Sequence, residues 1–237
     1  MKTVALYGVA TKDRIVVLNS DYHSGPHQPF LVKDRMGGIF NVQRALHSYY
    51  PELPVSLVFD HITNSTINVW KNKKQSFTEW KFDGHLNPVK ADWHHILYLD
   101  QLRNFAYKEV LFKFKGILSV DLCDREFNQS DIDEIMPYID YLFIADDHPN
   151  FKDRQYIGTR IRRAVIAHTA FGVEIIKDKL IECCMQAKHI DYLLDTLGAG
   201  DYFAAGFIAA RIDDKSLLDS VQTGHQVAAK QLENQRV

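Results

Sequence analysis

The sequence has few cysteines and no long apolar run. Its 237 residues include only Cys123, Cys183 and Cys184, and none of them belongs to a CxxC motif. This pattern argues against a disulfide framework and favours a reducing, cytoplasmic location. No apolar stretch approaches the ~20 residues that a membrane-spanning helix requires, so we expect no membrane partner.

The sequence also has no excess of charge of one sign. It carries 28 Lys and Arg against 30 Asp and Glu, for a net charge of -2. Without a basic field, a nucleic acid or an anionic membrane surface is not an expected partner. The 46% of hydrophobic residues is ordinary for a globular protein. Since no repeat or linker interrupts the chain, we predict a single domain over residues 1–237.

The eleven histidines include no HExxH motif. An HxxxH spacing occurs at His23 and His27, within the loop SDYHSGPHQ that is rich in turn formers, and His94 and His95 are adjacent within a strand-like run. Neighbouring residues of a strand point to opposite faces of the sheet. We interpret the histidines as packing or surface residues, and the sequence assigns no metal ligand.

Short apolar runs alternate with helix-like segments over the middle of the chain. The runs cover 55–60, 95–99, 116–122 and 141–145, and Ser130, three residues before Asp133, is a predicted helix start. This alternation predicts a mostly parallel sheet that is covered by helices on both faces, an α/β three-layer architecture. Apolar runs at 162–168, 172–178 and 179–185 follow without helices between them, which predicts an antiparallel edge.

Two further segments predict a small projecting β-lid. Residues 14–34 and 65–83 contain half-exposed strand patterns with turn residues between them. Lys73 and Lys74 are a solvated hairpin tip or a phosphate contact, and the tip is the favoured interpretation. The aromatic residues Trp70, Phe77 and Trp80 either pack across strands or stack on a nucleobase, and packing is favoured. The open edge of the lid leads us to expect a homodimer.

The run DTLGAGDYFAAGF, residues 195–207, carries the strongest chemical signal. Gly198 and Gly200 let a ligand approach the backbone, and the helix that follows offers unpaired amides at its positive end. These features together predict an anion site. Asp201 could be a simple helix cap, worth ~1 kcal/mol. A carboxylate beside an anion site is better explained if a hydroxyl lies between the two and gives its proton to Asp201.

This run resembles the C-terminal signature of the ribokinase (pfkB) family of sugar kinases. YGVATKD (7–13), DRMGGIFNVQRAL (34–46) and VIAHTAFGVEII (165–176) resemble the opening strand, the substrate segment and the nucleotide-side strand of that family. Within the family, DTLGAGD and the later GHQVAAKQL are most similar to the ketohexokinases. The resemblance implies a ribokinase-like fold with a β-lid and an ATP-dependent kinase that uses Mg²⁺ to phosphorylate a sugar or a sugar-like small molecule.

The resemblance also implies roles for individual residues. Asp201 is the implied general base, and Gly198, Ala199 and Gly200 form the implied anion hole. The implied substrate-binding residues are Asp13, Gly37, Gly38 and Asn41. The implied nucleotide-binding residues are Thr169, Gly172 and His225.

The chain departs from the family where an Asn-x-x-Glu motif handles magnesium. The aligned residues read ADDH, with Ala145 and His148 in place of Asn and Glu. Asp146 or Asp147 could substitute, although a surface turn is the favoured role for both. A non-catalytic nucleotide- or sugar-binding relative is therefore the alternative to an active kinase, and a nucleoside is an alternative acceptor.

Overall fold

The computed structural model describes residues 2–18, 29–70, 73–77, 87–101, 107–169, 171–186 and 196–234. Within these ranges the chain forms twelve strands and six α-helices. The strands are β1 (Val4–Gly8), β2 (Ala10–Leu18), β3 (Pro29–Gly38), β4 (Val55–Val58), β5 (Ile62–Trp70), β6 (Lys73–Phe77), β7 (Trp93–Leu97), β8 (Ile117–Asp121), β9 (Tyr141–Ala145), β10 (Ala164–Thr169), β11 (Gly172–Lys177) and β12 (Leu180–Gln186). The helices are α1 (Ile39–Tyr49), α2 (Tyr107–Leu111), α3 (Gln129–Ile135), α4 (Arg154–Gly158), α5 (Ala199–Ile212) and α6 (Leu217–Glu233).

Eight strands form the main sheet, in the order β12-β11-β10-β9-β8-β7-β1-β4. The six strands from β4 to β10 in this order pair in parallel, and β11 and β12 add antiparallel pairs at one edge. The strands β1 and β7 to β9 are buried almost throughout, as expected for a sheet covered on both faces.

Helices cover the two faces of this sheet with separate apolar cores. Alternate residues of one strand enter different cores, as Leu6 and Tyr7 of β1 do. The first core joins the sheet to α1, α5 and α6, and the second joins it to α2, α3 and α4. The predicted three-layer α/β class with an antiparallel edge is therefore confirmed. None of the helices in the described part of the chain is both long and apolar enough to cross a membrane.

Four strands form a second sheet, in the order β3-β2-β5-β6. The β2–β5 pair is parallel, and the other two pairs are antiparallel. Ile15, Val17, Ile67 and Val69 bury one face of it and contact Leu197 just before α5. We call this sheet the lid. It overlaps the segments predicted for the lid, although residues 19–28 and 78–83 lie outside the described residues.

Local sequence determines where the helices begin. α3 begins after Asn128, whose side chain accepts from the Asp131 amide while the Asp131 carboxylate accepts from the Asn128 amide. This capping box satisfies two amides that the first turn leaves open. The helix start predicted at Ser130 is thus wrong by two residues, because Asn128 makes the reciprocal bonds and Ser130 lies inside the helix.

Glycines allow α5 and α6 to cross closely. A Cβ on Gly206 of α5 would lie 2.9 Å from the Gly224 Cα of α6 and 2.9 Å from the Thr223 carbonyl oxygen. These neighbours are backbone atoms, which cannot turn away as a side chain can. The crossing matters for the site described below because α5 carries Asp201.

We predict that Gly206→Ala lowers the free energy of unfolding by about 1–3 kcal/mol, the usual cost of overpacking. The matched control is Gly158→Ala in α4, whose new Cβ would meet a side-chain atom, the Ile176 Cγ2 methyl group, at 3.0 Å and no backbone atom closer than 3.8 Å. Urea denaturation of both variants measures the difference. Equal stability of the two variants would contradict the close crossing.

Candidate functional site

A left-handed glycine produces the turn that begins α5. Gly198 is the N-cap residue, with φ 82°, and the first intrahelical bond runs from the Tyr202 amide to the Gly198 carbonyl at 2.9 Å. The Ala199 amide donates within the turn, to the Thr196 carbonyl at 3.1 Å. The other amides of the first turn lack a carbonyl one turn earlier in the helix. The positive end of the α5 dipole lies at this turn, a position that favours an anion.

The two glycines of this turn have different surroundings. A Cβ on Gly198 would lie 3.0 Å from the Asn41 Nδ2 atom and 3.2 Å from the Tyr202 ring. A Cβ on Gly200 would have no atom within 4 Å. Gly198 is therefore required by its backbone conformation and its neighbours, whereas Gly200 keeps space open beside the helix.

Asp201 lies in this first turn, and only 3% of it is exposed. Its Oδ2 atom accepts a hydrogen bond from Asn41 Nδ2 at 2.8 Å. Its Oδ1 atom accepts one from the Tyr98 hydroxyl at 3.3 Å. Because Asn41 belongs to α1 and Tyr98 follows β7, two separate elements orient the carboxylate.

Tyr98 is a site residue that the sequence analysis did not find. It follows directly after β7 with φ 60°, a conformation that bulky residues seldom adopt. Burial and the neighbouring Asp201 carboxylate raise the pKa of the Tyr98 hydroxyl well above its ordinary value, so the group stays protonated and donates. The sequence feature that could have identified Tyr98 is its position at the carboxyl end of a predicted strand, where ligand sites of such sheets lie.

A cleft of about 420 Å³ opens beside Asp201, within the size range of small-molecule sites. The turn Gly198–Ala199–Gly200 and Asp201 line it together. The three residues predicted to contact a nucleotide also line it, and these are Thr169, Gly172 and His225. The sequence-predicted anion turn, base and nucleotide residues therefore meet around one cavity.

The predicted substrate residues form a network on the lid side of Asp201 and are not among the residues that line this cleft. Ser65 donates to Asp13 Oδ1 at 2.7 Å. The Asp13 Oδ2 atom would lie 1.9 Å from a Cβ on Gly37, so only glycine leaves room for this carboxylate. Gly38 is the N-cap residue of α1, which places Asn41 in the first turn of that helix.

Asn41 reaches the cleft through its bond to Asp201. Its Oδ1 atom is buried and has no hydrogen-bond partner among the described residues. On the lid itself, Arg35 Nη2 donates to the Leu197 carbonyl at 3.1 Å, which ties β3 to the turn before α5.

The far end of the cleft is apolar and aromatic. The Phe203 ring stands edge-on between His168 and His225, with ring centroids 4.5 and 5.2 Å away. Burial, aided by the nearby His225, lowers the pKa of His168 to about 4, and burial also lowers the pKa of His225. Val173, Ala228 and Leu232 complete this end. An uncharged, flat ligand group fits these surroundings.

Besides Asp201, two acidic residues of the cleft lie where β8 and β9 end. Asp121 and Asp147 both line the cavity. Burial, followed by the Asp201 and Asp100 carboxylates, raises the pKa of Asp121 well above its ordinary value. Within the described ranges no three His, Cys, Asp or Glu side chains stand together as metal ligands. Mg²⁺ usually needs only one or two carboxylates in addition to phosphates and water, and Asp121 and Asp147 fit that requirement.

Of the other ADDH residues, Ala145 ends β9 and lines the cleft but has no ligand atom in its side chain. His148 is 2% exposed and is not among the residues that line the cleft. The His148 Nδ1 atom accepts from the Asn150 amide at 3.0 Å and so caps a short 3₁₀ helix, Pro149–Asp153. His148 therefore has a structural position where the resembled motif has glutamate.

We predict that Gly198→Ala lowers stability by about 1–2 kcal/mol, the cost of a left-handed conformation for a residue with a Cβ. Gly200→Ala is the matched control, because its new methyl group enters open space and alanine favours a helix. Thermal unfolding of both proteins measures the effect. A Gly200→Ala variant that is as unstable as Gly198→Ala would contradict the described turn.

This chain is similar to known proteins in sequence over one part and in fold over its length. Residues 164–236 match the model of the pfkB family carbohydrate kinases, the family whose signature the run 195–207 resembles. Ribokinase from Thermotoga maritima is 15% identical with a TM-score of 0.73, and the match covers 97% of this chain and 92% of that one. Burkholderia thailandensis nucleoside kinase, in complex with inosine, is 13% identical with a TM-score of 0.76 over 98% and 92%.

A third similar structure is Arabidopsis thaliana ribokinase complexed with ribose and ATP. It is 11% identical, with a TM-score of 0.70 over 100% of this chain and 94% of that one. The predicted ribokinase-like fold is confirmed by these matches. The chain has the ribokinase fold, and its residues 164–236 match the model of the pfkB family carbohydrate kinases.

Proposed function

We propose that this protein is a kinase that transfers the γ-phosphoryl group of ATP to a hydroxyl of a sugar or sugar-like small molecule. The observation that carries the proposal is that the Asp201 carboxylate and the glycine turn before it line the same cleft. A hydroxyl between them can be deprotonated from one side while the charge of the transferring group is stabilised from the other.

In the proposed reaction, the acceptor hydroxyl donates its proton to Asp201 and its oxygen attacks the γ-phosphorus. The bond from the γ-phosphorus to the bridging oxygen breaks, and ADP leaves with the electron pair. Gly198, Ala199 and Gly200 form the anion hole, where the amides at the start of α5 offset the charge on the transferring oxygens. Asn41 and Tyr98 hold the carboxylate in the orientation needed for attack, and positioning supplies much of the acceleration.

The two ends of the cleft suggest how ATP would lie. The phosphates meet the turn before α5, and the base lies toward Phe203, His225 and the apolar residues around them. Thr169 and Gly172 line the cleft beside that end. Mg²⁺ would be held by Asp121 and Asp147 and would neutralise phosphate charge when bound.

The acceptor would lie on the lid side, near Asp13, Gly37, Gly38 and Asn41. The Asn41 Oδ1 atom, which has no hydrogen-bond partner in the described part of the chain, can accept a hydrogen bond from a hydroxyl of the acceptor. Both a sugar and a nucleoside carry such hydroxyls, and similar structures bind ribose and inosine. The Trp70, Phe77 and Trp80 side chains, which could distinguish the two, lie outside what the structure describes. The homodimer through the lid and the cytoplasmic location stay predictions.

Turnover on a panel of sugars and nucleosides tests this function. ADP release is followed with ATP and Mg²⁺ present, and at least one acceptor is expected to give turnover above ATP hydrolysis alone. The changed ADDH segment favours one alternative, a non-catalytic binding protein. That alternative predicts nucleotide-induced thermal stabilisation with no phosphorylated product from any acceptor.

We predict that Asp201→Asn lowers kcat about 10²- to 10⁴-fold, the usual contribution of a general base, while nucleotide binding survives. The matched control is Asp213→Asn, an exposed carboxylate just after the other end of α5, which should keep its activity. Steady-state kinetics and titration with a fluorescent ADP analogue measure the two properties. An Asp201→Asn protein as active as the unmodified chain would refute the base assignment.

A further inference from the structure

Asp100 is a completely buried carboxylate that lies two residues after Tyr98. It belongs to a short 3₁₀ helix, Leu99–Gln101, at the carboxyl end of β7. The Gln101 amide closes this turn on the Tyr98 carbonyl at 2.9 Å. The left-handed backbone of Tyr98 and the buried position of Asp100 are therefore parts of one turn.

The Asp100 carboxylate binds the backbone of the segment that follows β8. Its Oδ1 atom accepts from the Cys123 amide at 2.8 Å. Its Oδ2 atom accepts from the Asp124 amide at 2.8 Å and from the Arg125 amide at 2.7 Å. This segment begins with Asp121, Leu122 and Cys123, all of which line the cleft. One side chain thus attaches the end of β7 to a wall of the cleft.

The turn after β9 meets the same carboxylate. His148 Nε2 lies 3.8 Å from Asp100 Oδ2, and both side chains are fully buried. The His148 Nδ1 atom accepts from the Asn150 amide, so the neutral ring carries its proton on Nε2, which faces Asp100. The carboxyl ends of three neighbouring strands, β7, β8 and β9, therefore converge on Asp100.

The contacts around Asp100 favour its charged form. Burial acts to raise the pKa of Asp100, but His148 and the amides of Arg125, Cys123 and Asp124 outweigh it, and the pKa lies below its ordinary value. An ionised carboxylate that accepts several backbone bonds is a strong local constraint, since charge-assisted bonds are about twice as strong as neutral ones. Losing it would leave the amides of Cys123, Asp124 and Arg125 without this acceptor.

We propose that Asp100 is a positioning residue for the proposed kinase: it fixes the turn that holds Tyr98 against Asp201 and the 121–125 segment that forms one wall of the cleft. This inference rests on the proposed function for its kinetic consequence. Asp100 touches neither reactant. It acts through Tyr98, which orients the base, and through the backbone beside the phosphate region.

Asp100→Asn tests the proposal, because its amide group would place a donor against backbone donors. We expect kcat to fall about a hundredfold, as for a misplacement of about 1 Å in an active site. The matched control is Asp140→Asn. Asp140 is also buried and accepts a backbone bond, from the Leu118 amide at 2.9 Å, but it lies at the amino ends of β8 and β9. It should lose stability without loss of kcat.

A double-mutant cycle separates positioning from general destabilisation. If Asp100 acts through Tyr98, the combined loss of kcat in Tyr98→Phe with Asp100→Asn is smaller than the product of the two separate losses. The cycle of Tyr98→Phe with Asp140→Asn should show no such coupling. Multiplicative losses in the first cycle, or unchanged kcat in Asp100→Asn, would overturn the proposal. If Asp100→Asn does not fold, Asp100→Ser, which can accept one amide bond, replaces it in both measurements.

If the proposed kinase activity is absent, a different measurement tests the positioning role of Asp100. If the unmodified protein turns over no acceptor, the readout becomes the affinity for a fluorescent ADP analogue. Weaker binding by Asp100→Asn than by Asp140→Asn, at temperatures where both are folded, still supports a positioning role at the cleft wall. Equal affinities of these two variants, or no nucleotide binding by the unmodified chain, would overturn it.

Discussion

The orientation of one carboxylate depends on three elements that are distant in sequence. Asp201 stands at the start of α5 and is held by Asn41 of α1 and by Tyr98 after β7. Each of these elements has a residue with positive φ next to the site. These residues are Gly198 at the start of α5, Gly38 at the start of α1 and Tyr98 after β7. For Tyr98, which has a Cβ, this conformation costs free energy and persists because the surrounding fold imposes it. The close α5–α6 crossing and the packing of α1 against the same core supply that constraint.

Three carboxylates lie at the same end of the sheet, and the burial of each is accommodated in a different way. Asp201 accepts from two neutral side-chain donors, and Asp100 accepts from three backbone amides. For Asp121, burial and the two other carboxylates favour the neutral form, as its raised pKa indicates. A cation near Asp121 would reverse that preference, because an opposite charge favours the ionised form. The electrostatics of the cleft thus depend on what binds there.

The sequence could predict those parts of the site whose chemistry is local. The run 195–207 contains a flexible turn, an acidic residue and a helical pattern in one stretch, so Asp201 and the anion turn could be identified without the fold. The sheet class followed from alternating apolar runs. Tyr98 and Asp100 follow an apolar run that looks like many others, and their roles arise only when β7, β8 and β9 align their carboxyl ends. The lid-side network likewise requires the β2–β3 register, which brings Gly37 to Thr11 beside Asp13.

The structure explains why the ADDH segment has histidine where the Asn-x-x-Glu motif has glutamate. His148, where glutamate stands in the resembled motif, points inward, caps a short helix and contacts Asp100. A glutamate at this position, oriented as His148 is, would place a second carboxylate against Asp100 in a buried environment, where like charges strongly disfavour each other. The loss of glutamate and the buried Asp100 are therefore mutually consistent. Asp121 and Asp147, which line the cleft, come from the ends of β8 and β9 rather than from one motif. A cation bound there would meet carboxylates whose backbone segments are held in part by the contacts of Asp100.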